Sequence, residues 1–370
     1  MRVLHVSDTH LGHAAYHKVS DRGLNQREED VMAALARVVD KALELRPDVV
    51  LHSGDLFDVV RPSNRCLAQA LEQLLRLAQA QIPVVAIAGN HEAPRLRETG
   101  SVFRFLEFFD GLRPVYQGKA EVVRVGGLAI HAVPQAASQE DVRRQLEEAH
   151  PAADADYNIL AAHVGVTGIQ AFAMGEFNEH VVPTSALDPA FDYVALGHYH
   201  GCAQVAPNAW YAGSTERMSF AEAGQPKGFL LADLAARNVE FHPIATRPML
   251  DLAPIDADGM DAPALQRAIV KALDACDAAG KIVRLRVLRV PRHVHAGLDP
   301  ARVQRAGRDA LHCEVRFDLV RAGAPEERDG AIGPLAEEFD RFIATVPMDG
   351  GLDRGQVRSR AVQYLQEALG

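Results

Sequence analysis

Five short clusters of polar residues in the first 200 positions consist of residue types that bind metal ions. In chain order they are Asp8-Thr9-His10, Gly54-Asp55-Leu56-Phe57-Asp58, Gly89-Asn90-His91-Glu92, His163 and Gly197-His198-Tyr199-His200. Oxygen and imidazole donors without a thiolate suit Mn²⁺, iron or Zn²⁺ better than Mg²⁺ or Ca²⁺, which prefer shells of oxygen alone. Two cations roughly 3.5 to 4 Å apart need several donors each and a bridging carboxylate. The clusters contain enough donors for such a pair.

Each cluster directly follows an apolar run of strand length. The runs cover residues 2 to 7, 48 to 53, 83 to 88, 158 to 162 and 192 to 196. In an open α/β sheet the carboxyl ends of the strands line the crevice where ligands bind. Side chains that are almost 200 residues apart in sequence are therefore expected to converge on one point.

Any single cluster is a weak indication. A lone DxH is common, GDxxD is compatible with a turn capped by its own aspartate, and a histidine after an apolar strand is more often structural than a ligand. All five clusters nevertheless occur in order, each directly behind a predicted strand. This joint occurrence favours a metal site over coincidence.

The other histidines receive different interpretations. His5 and His52 lie within predicted strands and are expected to be core or edge residues, and His131 behind a further apolar run is expected to be structural. His13 and His17 belong to a loop close to the predicted site, where contact with a substrate is conceivable.

Amphipathic segments separate the strands and define the fold class. Apolar residues at helical spacing predict helices over 24 to 46 and 62 to 81, and Ser138 three residues before Asp141 resembles a capping box that opens a third helix over 138 to 149. Residues 228 to 233 and 237 to 244 predict a hairpin that completes a second sheet. The sequence thus predicts a two-sheet α/β sandwich domain over residues 1 to 247.

Two further regions follow. A strand near 249, helix 262 to 279, strand 282 to 290, helix 299 to 311 and strand 313 to 320 predict a smaller α/β cap domain within 248 to 325. Residues 326 to 370 are interpreted as a linker and C-terminal helices. Apolar faces of those helices contain Leu335, Phe339, Phe342, Ile343 and Val346, and then Val357, Ala361, Tyr364, Leu365 and Ala368. Whether these helices pack on the cap or on a partner stays open at this point.

Composition limits the function classes. The 370 residues include 48% hydrophobic and 24% charged residues, no run approaches the roughly 18 to 20 apolar residues of a membrane span, and no export signal is recognised. Four cysteines without CxxC spacing fit reduced thiols, so a cytoplasmic protein is expected. The net charge of -10 does not by itself suggest a nucleic-acid partner. Bound cations or a basic partner subunit would offset that charge.

The motifs resemble those of the calcineurin-like metallophosphoesterase superfamily and, within it, the SbcD-type DNA nucleases. The resemblance rests on SDTHLG at 7 to 12, GDLFD at 54 to 58 with Arg61-Pro62-Ser63 beyond, GNHE at 89 to 92, AHV at 162 to 164, GHYH at 197 to 200, and GSTER at 213 to 217 with Lys227-Gly228-Phe229. These motifs lie within residues 1 to 230.

The resemblance implies a role for each site residue. One metal would be held by Asp8, His10, Asp55 and His200, and the other by Asp55, Asn90, His163 and His198, with Asp55 bridging. His91 would be the catalytic residue that contacts the scissile phosphate. His13, Asp58 and Arg61 are possible substrate contacts. Asp58 occupies a position where some family members have a second active-site histidine, so its role is not given by the resemblance.

The resemblance also implies an activity and partners. It implies a nuclease dependent on two divalent metal ions, with Mn²⁺ expected, that is a 3′ to 5′ exonuclease on duplex DNA and an endonuclease on single-stranded or hairpin DNA. Its partners would be DNA and an SbcC-type ATPase docked on the C-terminal helices, with two nuclease subunits forming a homodimer within a heterotetramer. The alternatives are a small-molecule phosphodiesterase, a phosphoprotein phosphatase and a noncatalytic scaffold.

Four arginines of the predicted cap alternate with apolar residues across the 282 to 292 stretch. They are Arg284, Arg286, Arg289 and Arg292. Two interpretations stay open: a solvated strand face, or a surface that faces DNA.

Overall fold

The computed structural model describes residues 1–94, 100–167, 179–320, 339–340, 342–344 and 353–369. Its larger part is a sandwich of two six-stranded sheets with helices on the outer faces. Its strands are β1 (Arg2–Val6), β2 (Val49–His52), β3 (Val84–Ile87), β4 (Leu112–Val115), β5 (Glu121–Val125), β6 (Leu128–Val133), β7 (Tyr157–His163), β8 (Gly165–Val166), β9 (Val181–Val182), β10 (Tyr193–Gly197), β11 (Ala203–Ala206), β12 (Ala209–Tyr211), β13 (Gly228–Asp233) and β14 (Asn238–Pro243). Its helices are α1 (Gln26–Leu45), α2 (Asn64–Gln79) and α3 (Gln139–Glu148). The predicted α/β sandwich is confirmed.

The first sheet has the order β14-β13-β1-β2-β3-β4, and β1 to β4 run parallel. Alternate residues of β1 point in opposite directions: Leu4 packs with α1 and α2, whereas Val3 packs toward the second sheet. Because both faces are covered, β1, β2 and β3 are mostly apolar and do not alternate regularly with polar residues.

The second sheet has the order β11-β12-β10-β7-β6-β5. Strands β6, β7, β10 and β12 are parallel neighbours, and β5 and β11 pair antiparallel at the two edges. Residues Ile130, Ile159 and Ala195 of this sheet share a buried core with residues of β1, β2 and β3. This shared core aligns the carboxyl ends of parallel strands from both sheets.

The predicted hairpin forms, but it does not complete the second sheet. Strand β13 pairs antiparallel with β1, so β13 and β14 extend the first sheet instead. The reason is that β1 leaves one edge unpaired after bonding β2, and the buried Phe229 and Leu230 of β13 fit between apolar layers on both sides. The prediction that this hairpin completes the second sheet was therefore wrong.

Each of the three sandwich helices begins at a side-chain cap. Asn25 accepts a hydrogen bond from the Arg27 amide, and Ser63 accepts one from the Cys66 amide. Ser138 accepts from the Asp141 amide at 3.1 Å, which confirms the predicted start of α3. These oxygen acceptors satisfy amides that have no partner within the helix.

The cap forms with the predicted order of elements. It contains β15 (Met249–Asp251), β16 (Ile255–Asp256), α4 (Ala262–Asp274), β17 (Ile282–Val290), α5 (Arg292–Ala296), α6 (Pro300–Ala306) and β18 (His312–Leu319). β15 and β16 pair with successive segments of β17, and β18 also pairs with β17. Leu265, Ile269, Leu285 and Val287 lie in a separate buried core. The short β16 and α5 were not predicted.

Contacts from the loop after β1 and from α1 hold the cap against the sandwich. The ring of Tyr16 stacks on His312 with centroids 4.1 Å apart. Arg247, at the junction with the cap, donates to both carboxylate oxygens of Asp30 on α1 and also to the Gly280 carbonyl of the cap. Arg284 of the cap lies over the ring of Phe220 of the sandwich at 4.5 Å. The loop after β1 therefore connects the predicted site to the cap.

The last described helix is α7 (Arg354–Leu369), which agrees with the second predicted C-terminal helix. Of the first one, Phe339, Phe342 and Ile343 are described, whereas Leu335 and Val346 lie outside the described residues. Among the helices that are described, none is long and apolar enough to cross a membrane. The four cysteines are free thiols.

His5 is buried between the two sheets, as predicted for a core residue. Its Nδ1 lies 2.9 Å from the hydroxyl of Tyr193 and its Nε2 lies 2.8 Å from Oγ of Ser53. Burial, together with the neighbouring His52, lowers the pKa of His5 to about 3. The pKa of His52 is also lowered to about 3, again chiefly by burial.

We expect acid to destabilise the sandwich through these two histidines. Below the ordinary histidine pKa of about 6.5, the unfolded chain binds protons that the folded chain does not bind until about pH 3. The free energy of unfolding should therefore fall as pH falls from 6.5 toward 3. In urea titrations, His5→Gln should reduce that slope by about 1.4 kcal/mol per pH unit. The exposed His150→Gln should leave the slope unchanged, and an unchanged slope in His5→Gln would contradict the assignment.

Candidate metal centre

The five polar clusters meet at one end of the sandwich. Three follow strands β1, β2 and β3 of the first sheet, and two belong to β7 and β10 of the second. The predicted ligands are almost fully buried there, at 0 to 8% exposure: Asp8, His10, Asp55, Asn90, His163, His198 and His200. The predicted convergence is confirmed, although it joins two sheets and not the edge of one.

Hydrogen bonds between two loops continue the pairing of β1 with β2 beyond the sheet. The amide of Asp8 donates to the Gly54 carbonyl, and the amide of His10 donates to the Asp55 carbonyl, both at 3.0 Å. Asp8, His10 and Asp55 have φ values of 50 to 54°, a left-handed conformation that is uncommon outside glycine. Such conformations concentrate at functional sites because the surrounding contacts must hold them in place.

Two glycines allow the ligands to come close together. A Cβ at Gly54 would lie 2.1 Å from Nδ1 of His163, and a Cβ at Gly89 would lie 2.1 Å from Oδ1 of Asp55. Neither distance is compatible with van der Waals radii. The glycines of the GD and GN motifs are therefore required by the approach of a ligand from a neighbouring strand.

One group of acceptor atoms surrounds Oδ2 of Asp55. Nε2 of His163 lies 3.2 Å from that oxygen and 3.0 Å from Oδ1 of Asn90. Nδ1 of His163 lies 2.9 Å from the Ser53 carbonyl and must donate to it, so the neutral ring has its lone pair on Nε2. In that neutral state, two oxygens and a nitrogen lone pair point toward one another, and Oδ2 of Asp55 has no hydrogen-bond partner in the described part of the chain. A cation at this point, whether a proton on Nε2 or a metal ion, would offset the negative charge, so the residues fit a metal ion.

The charges at His163 support the same conclusion. Burial alone would lower the pKa of His163, but the carboxylate of Asp55 more than offsets it and raises the pKa to about 9. The pKa of Asp55 is held well below its usual range by His163 and His10 despite burial. Asp55 therefore attracts positive charge to this point, either as a proton or as a metal ion.

A second group also lies next to Asp55. Asp8, His10 and His200 each offer a ligand atom, and these atoms all lie within 4.8 Å of one another. Nε2 of His10 is 3.1 Å from Nε2 of His200 and 3.8 Å from Oδ2 of Asp55. Asp55 therefore contacts both groups, which is the placement that a bridging carboxylate requires.

Behind His200 lies a buried network that the sequence did not reveal. Nδ1 of His200 donates to Oε1 of Glu222 at 3.0 Å, which leaves Nε2 as the lone-pair atom that faces His10. Lys227 donates to the other oxygen of Glu222 at 2.5 Å and to Oγ of Ser214 at 2.8 Å. Burial would raise the pKa of Glu222, but His200 and Lys227 lower it to about 2. A carboxylate behind a histidine fixes the tautomer of a metal ligand.

Ser214 and Lys227 belong to motifs that the sequence analysis quoted without assigning them a role. Glu222 stands in no motif, and nothing in its local sequence could have identified it.

Glu92 links two ligand loops from behind. Its carboxylate accepts from the amides of Phe57 and Gly89, each at 2.8 Å, and it is fully buried. Burial and the nearby charge of Asp55 raise the pKa of Glu92 to about 8. The glutamate of GNHE thus positions the loops that contain Asp55 and Asn90 and does not contribute to the two ligand groups.

His198 lies at the site in a different arrangement from the other predicted ligands. Its amide donates to Oδ1 of Asp8 at 3.0 Å, and its Nε2 lies 3.3 Å from Oε1 of Glu179. Its ring packs edge to face on His163 with centroids 5.4 Å apart. Glu179 lies outside the sequence motifs and was not predicted.

His91 is the most exposed of the predicted site histidines, with 28% of its side chain accessible. Its Nδ1 donates to the Asp58 carbonyl at 2.8 Å, and its ring packs edge to face on His10 with centroids 4.6 Å apart. His91 also lies close enough to His10 and Asp55 to be counted with them as a possible ligand. Its exposure and its hydrogen bond instead favour contact with a substrate.

The remaining predicted contacts differ in position. Nδ1 of His13 lies 3.6 Å from Oδ1 of Asp58, so both residues border the site. Arg61 is exposed on the loop before α2, and no contact within the described part of the chain joins it to the ligand groups. His131 is buried against Phe191, away from the site, as predicted for a structural histidine.

The cap arginines are partly engaged within the cap. Arg284 donates to both oxygens of Asp251, and Arg289 pairs with Asp256. Arg286 lies 3.7 Å from Asp251, and Arg292 is exposed. Contact with DNA therefore stays a prediction, in which Arg284 is the least available of the four.

Comparison with known proteins agrees with this site. Residues 1–202 match the family of calcineurin-like phosphoesterases. Because the match covers more than half of the 370 residues, the chain belongs to this family, and the superfamily predicted from the motifs is confirmed.

Three curated relatives are DNA double-strand break repair proteins called Mre11. The protein of Methanococcus maripaludis is 31% identical over 256 residues, which cover 64% of this chain and 63% of the relative. That of Haloferax volcanii is 33% identical, with coverage of 77% and 61%, and that of Methanocaldococcus jannaschii is 30% identical, with coverage of 66% and 65%. The chain spans less than two thirds of the length of each. The narrower SbcD-type assignment stays a prediction.

We expect the network behind His200 to control metal affinity. Glu222→Gln keeps the shape of the side chain but removes the charge that holds the His200 proton on Nδ1. Affinity for one Mn²⁺ should fall about 10- to 100-fold, as is typical when such a carboxylate is lost. Calorimetric titration of chelator-treated protein measures the change, with the exposed Glu148→Gln as control. Wild-type affinity in Glu222→Gln would show that the network has no influence on the metal.

Proposed function

We propose that this chain is a DNA nuclease that hydrolyses phosphodiester bonds with two divalent metal ions, Mn²⁺ being the expected one. The observation that carries the proposal is the position of Asp55, whose Oδ2 lies between the His163 group and the His10 group. In this proposal Asp8, His10, Asp55 and His200 hold one ion, and Asp55, Asn90, His163 and His198 hold the other. Both sets keep the assignment that the family resemblance implies.

When bound, the two ions would lower the pKa of a water molecule and neutralise charge on the phosphate. The protein's own residues orient the reaction. His91 keeps Nδ1 on the Asp58 carbonyl, which leaves Nε2 as the nitrogen that can reach substrate. When it is protonated, Nε2 can donate to the leaving oxygen of the phosphodiester, a role that suits an imidazole near neutral pH.

DNA as the substrate is supported by the relatives and by the cap. The named relatives act in DNA double-strand break repair, and alignment with the Haloferax volcanii protein covers 77% of this chain. The cap lies against the loop that follows β1, through the stacking of Tyr16 on His312. A cap beside the site favours an extended substrate over a small ester. In this proposal the protein acts as a 3′ to 5′ exonuclease on duplex DNA and as an endonuclease on single strands or hairpins.

The partners in this proposal are an SbcC-type ATPase and a second copy of the nuclease. The C-terminal helix α7 supports the first of these, because the ring of Tyr364 is 63% exposed on it. An exposed aromatic residue on a helix at the chain end is a suitable anchor for another protein. The boundaries 1 to 247, 248 to 325 and 326 to 370 give the nuclease, cap and partner-binding parts of the proposal.

A panel of substrates tests the activity. With Mn²⁺ the full chain should degrade linear duplex DNA and cleave hairpin DNA. Turnover of bis-p-nitrophenyl phosphate or a cyclic nucleotide without any cleavage of DNA would instead identify a small-molecule phosphodiesterase, and hydrolysis of a phosphoprotein alone would identify a phosphatase. His91→Ala serves as the control: it should lose at least 100-fold in turnover and still bind two Mn²⁺ ions. A noncatalytic scaffold would have no turnover to lose on that substitution.

Binding of the ATPase depends in this proposal on the exposed face of α7. Tyr364→Glu places a charge where an apolar contact is expected, so affinity for an SbcC-type ATPase should fall about 10-fold or more. The exposed Ser359→Glu on the same helix adds the same charge and should have a much smaller effect. Pull-down with the ATPase measures both variants. Equal binding of both would contradict a role of α7 in docking.

A further inference from the structure

The carboxylate of Asp58 lies among three imidazoles. Its Oδ1 is 3.2 Å from Nδ1 of His10, 3.6 Å from Nδ1 of His13 and 3.8 Å from Nδ1 of His91. The side chain is 23% exposed, and the three rings come from two different loops. One acidic group therefore faces three histidines at the rim of the metal centre.

The charge of Asp58 argues against direct contact with substrate. Its Oδ1 lies within ion-pair distance of Nδ1 of both His10 and His13, so the carboxylate is already engaged by two imidazoles. A phosphate is also negative, and two like charges at contact distance repel. The engaged, anionic side chain is instead suited to accept hydrogen bonds from the imidazoles.

The contact between His10 and Asp58 bears on which nitrogen of His10 faces the metal group. Nδ1 of His10 lies 3.2 Å from the Asp58 carboxylate, which can only accept, so this contact favours the tautomer with the proton on Nδ1. Nε2 of the neutral ring then presents its lone pair toward His200 and Asp55. Asp58 thus faces Nδ1 of His10 as Glu222 faces Nδ1 of His200, although only the Glu222 contact has hydrogen-bond geometry.

The main chain of Asp58 makes a separate contact with His91. Its carbonyl accepts from Nδ1 of His91 at 2.8 Å, and its amide donates to the Leu11 carbonyl at 3.1 Å. The peptide groups on both sides of Asp58 are therefore held in place independently of its side chain. Replacing the carboxylate should leave the orientation of His91 intact.

We propose that Asp58 is a positioning residue whose side chain orients His10 for one metal ion while its main chain orients His91 toward substrate. The proposal rests on the proposed function for the role of His91. Its metal-binding half depends only on the contacts of His10. In this role Asp58 acts through two histidines and does not contact the substrate itself. The family resemblance did not assign a role to this position.

Two variants of the full chain separate the two roles. Asp58→Ala removes the acceptor of His10 Nδ1, and Asp58→Asn keeps a neutral, weaker acceptor. Calorimetric titration with Mn²⁺ should show one of two sites weakened about 10- to 100-fold in Asp58→Ala and less in Asp58→Asn, because such acceptors typically have effects of this size. Raising the Mn²⁺ concentration to saturation should restore part of the turnover that both variants lose at limiting Mn²⁺, because the loss acts through occupancy of the metal site. Thermal unfolding verifies that each variant is folded, and Asp58→Asn remains informative if Asp58→Ala is not.

The His91→Ala control differs in its expected result from the Asp58 variants, and other results would contradict the role proposed for Asp58. His91→Ala should keep both Mn²⁺ affinities and lose turnover, the opposite pattern. If Asp58→Ala and Asp58→Asn bind two Mn²⁺ ions as the wild type does but lose turnover at saturating metal, or raise only the KM for DNA, the positioning role is overturned in favour of substrate contact. If the wild type does not cleave DNA at all, the proposed function fails, but the Mn²⁺ titrations still decide the role of Asp58 at His10.

Discussion

The structure is organised around an excess of buried electron-pair acceptors at one end of the sandwich. Asp8 and Asp55 lie there beside imidazole nitrogens, and Oδ2 of Asp55 has no hydrogen-bond partner in the described part of the chain, a situation that costs roughly 1 to 3 kcal/mol for a buried polar group. Nδ1 of His163 is committed to Ser53 and Nδ1 of His200 to Glu222. Lone pairs that face one another are stable only when positive charge lies between them. The surrounding loops hold these ligand atoms close together.

That arrangement explains why the backbone around the site is unusual. Asp8, His10 and Asp55 adopt left-handed conformations, and glycines precede Asp55 and Asn90 because a side chain there would overlap with a ligand. Glu92 and Glu222 then act from behind, one on the loops and one on a ring. Local strain, small residues and buried acids are thus different responses to one requirement, the close approach of ligands from five strands.

Some features of this structure could be predicted from the sequence, and others could not. Strand ends such as Asp8 and Asp55 were predictable because a polar cluster directly follows an apolar run. The sheet that β13 joins was not predictable from the sequence. Its apolar pattern fits either sheet, and the pairing depends on which strand has a free edge. Glu222 and Glu179 were missed because they lie outside the motifs and reach the site only through the tertiary fold. Asp58 was recognised as unusual, but its histidine neighbours were visible only in three dimensions.

The ligand groups are divided between two separate sheets. Asp55 belongs to a loop of the first sheet and His163 ends a strand of the second, with 3.2 Å between their ligand atoms. Ions bound there would act as a noncovalent cross-link through the sandwich, adding to the apolar core that otherwise joins the layers. Folding and metal occupancy are then thermodynamically linked, so that the melting temperature rises with the concentration of free metal and chelation loosens the junction of the layers.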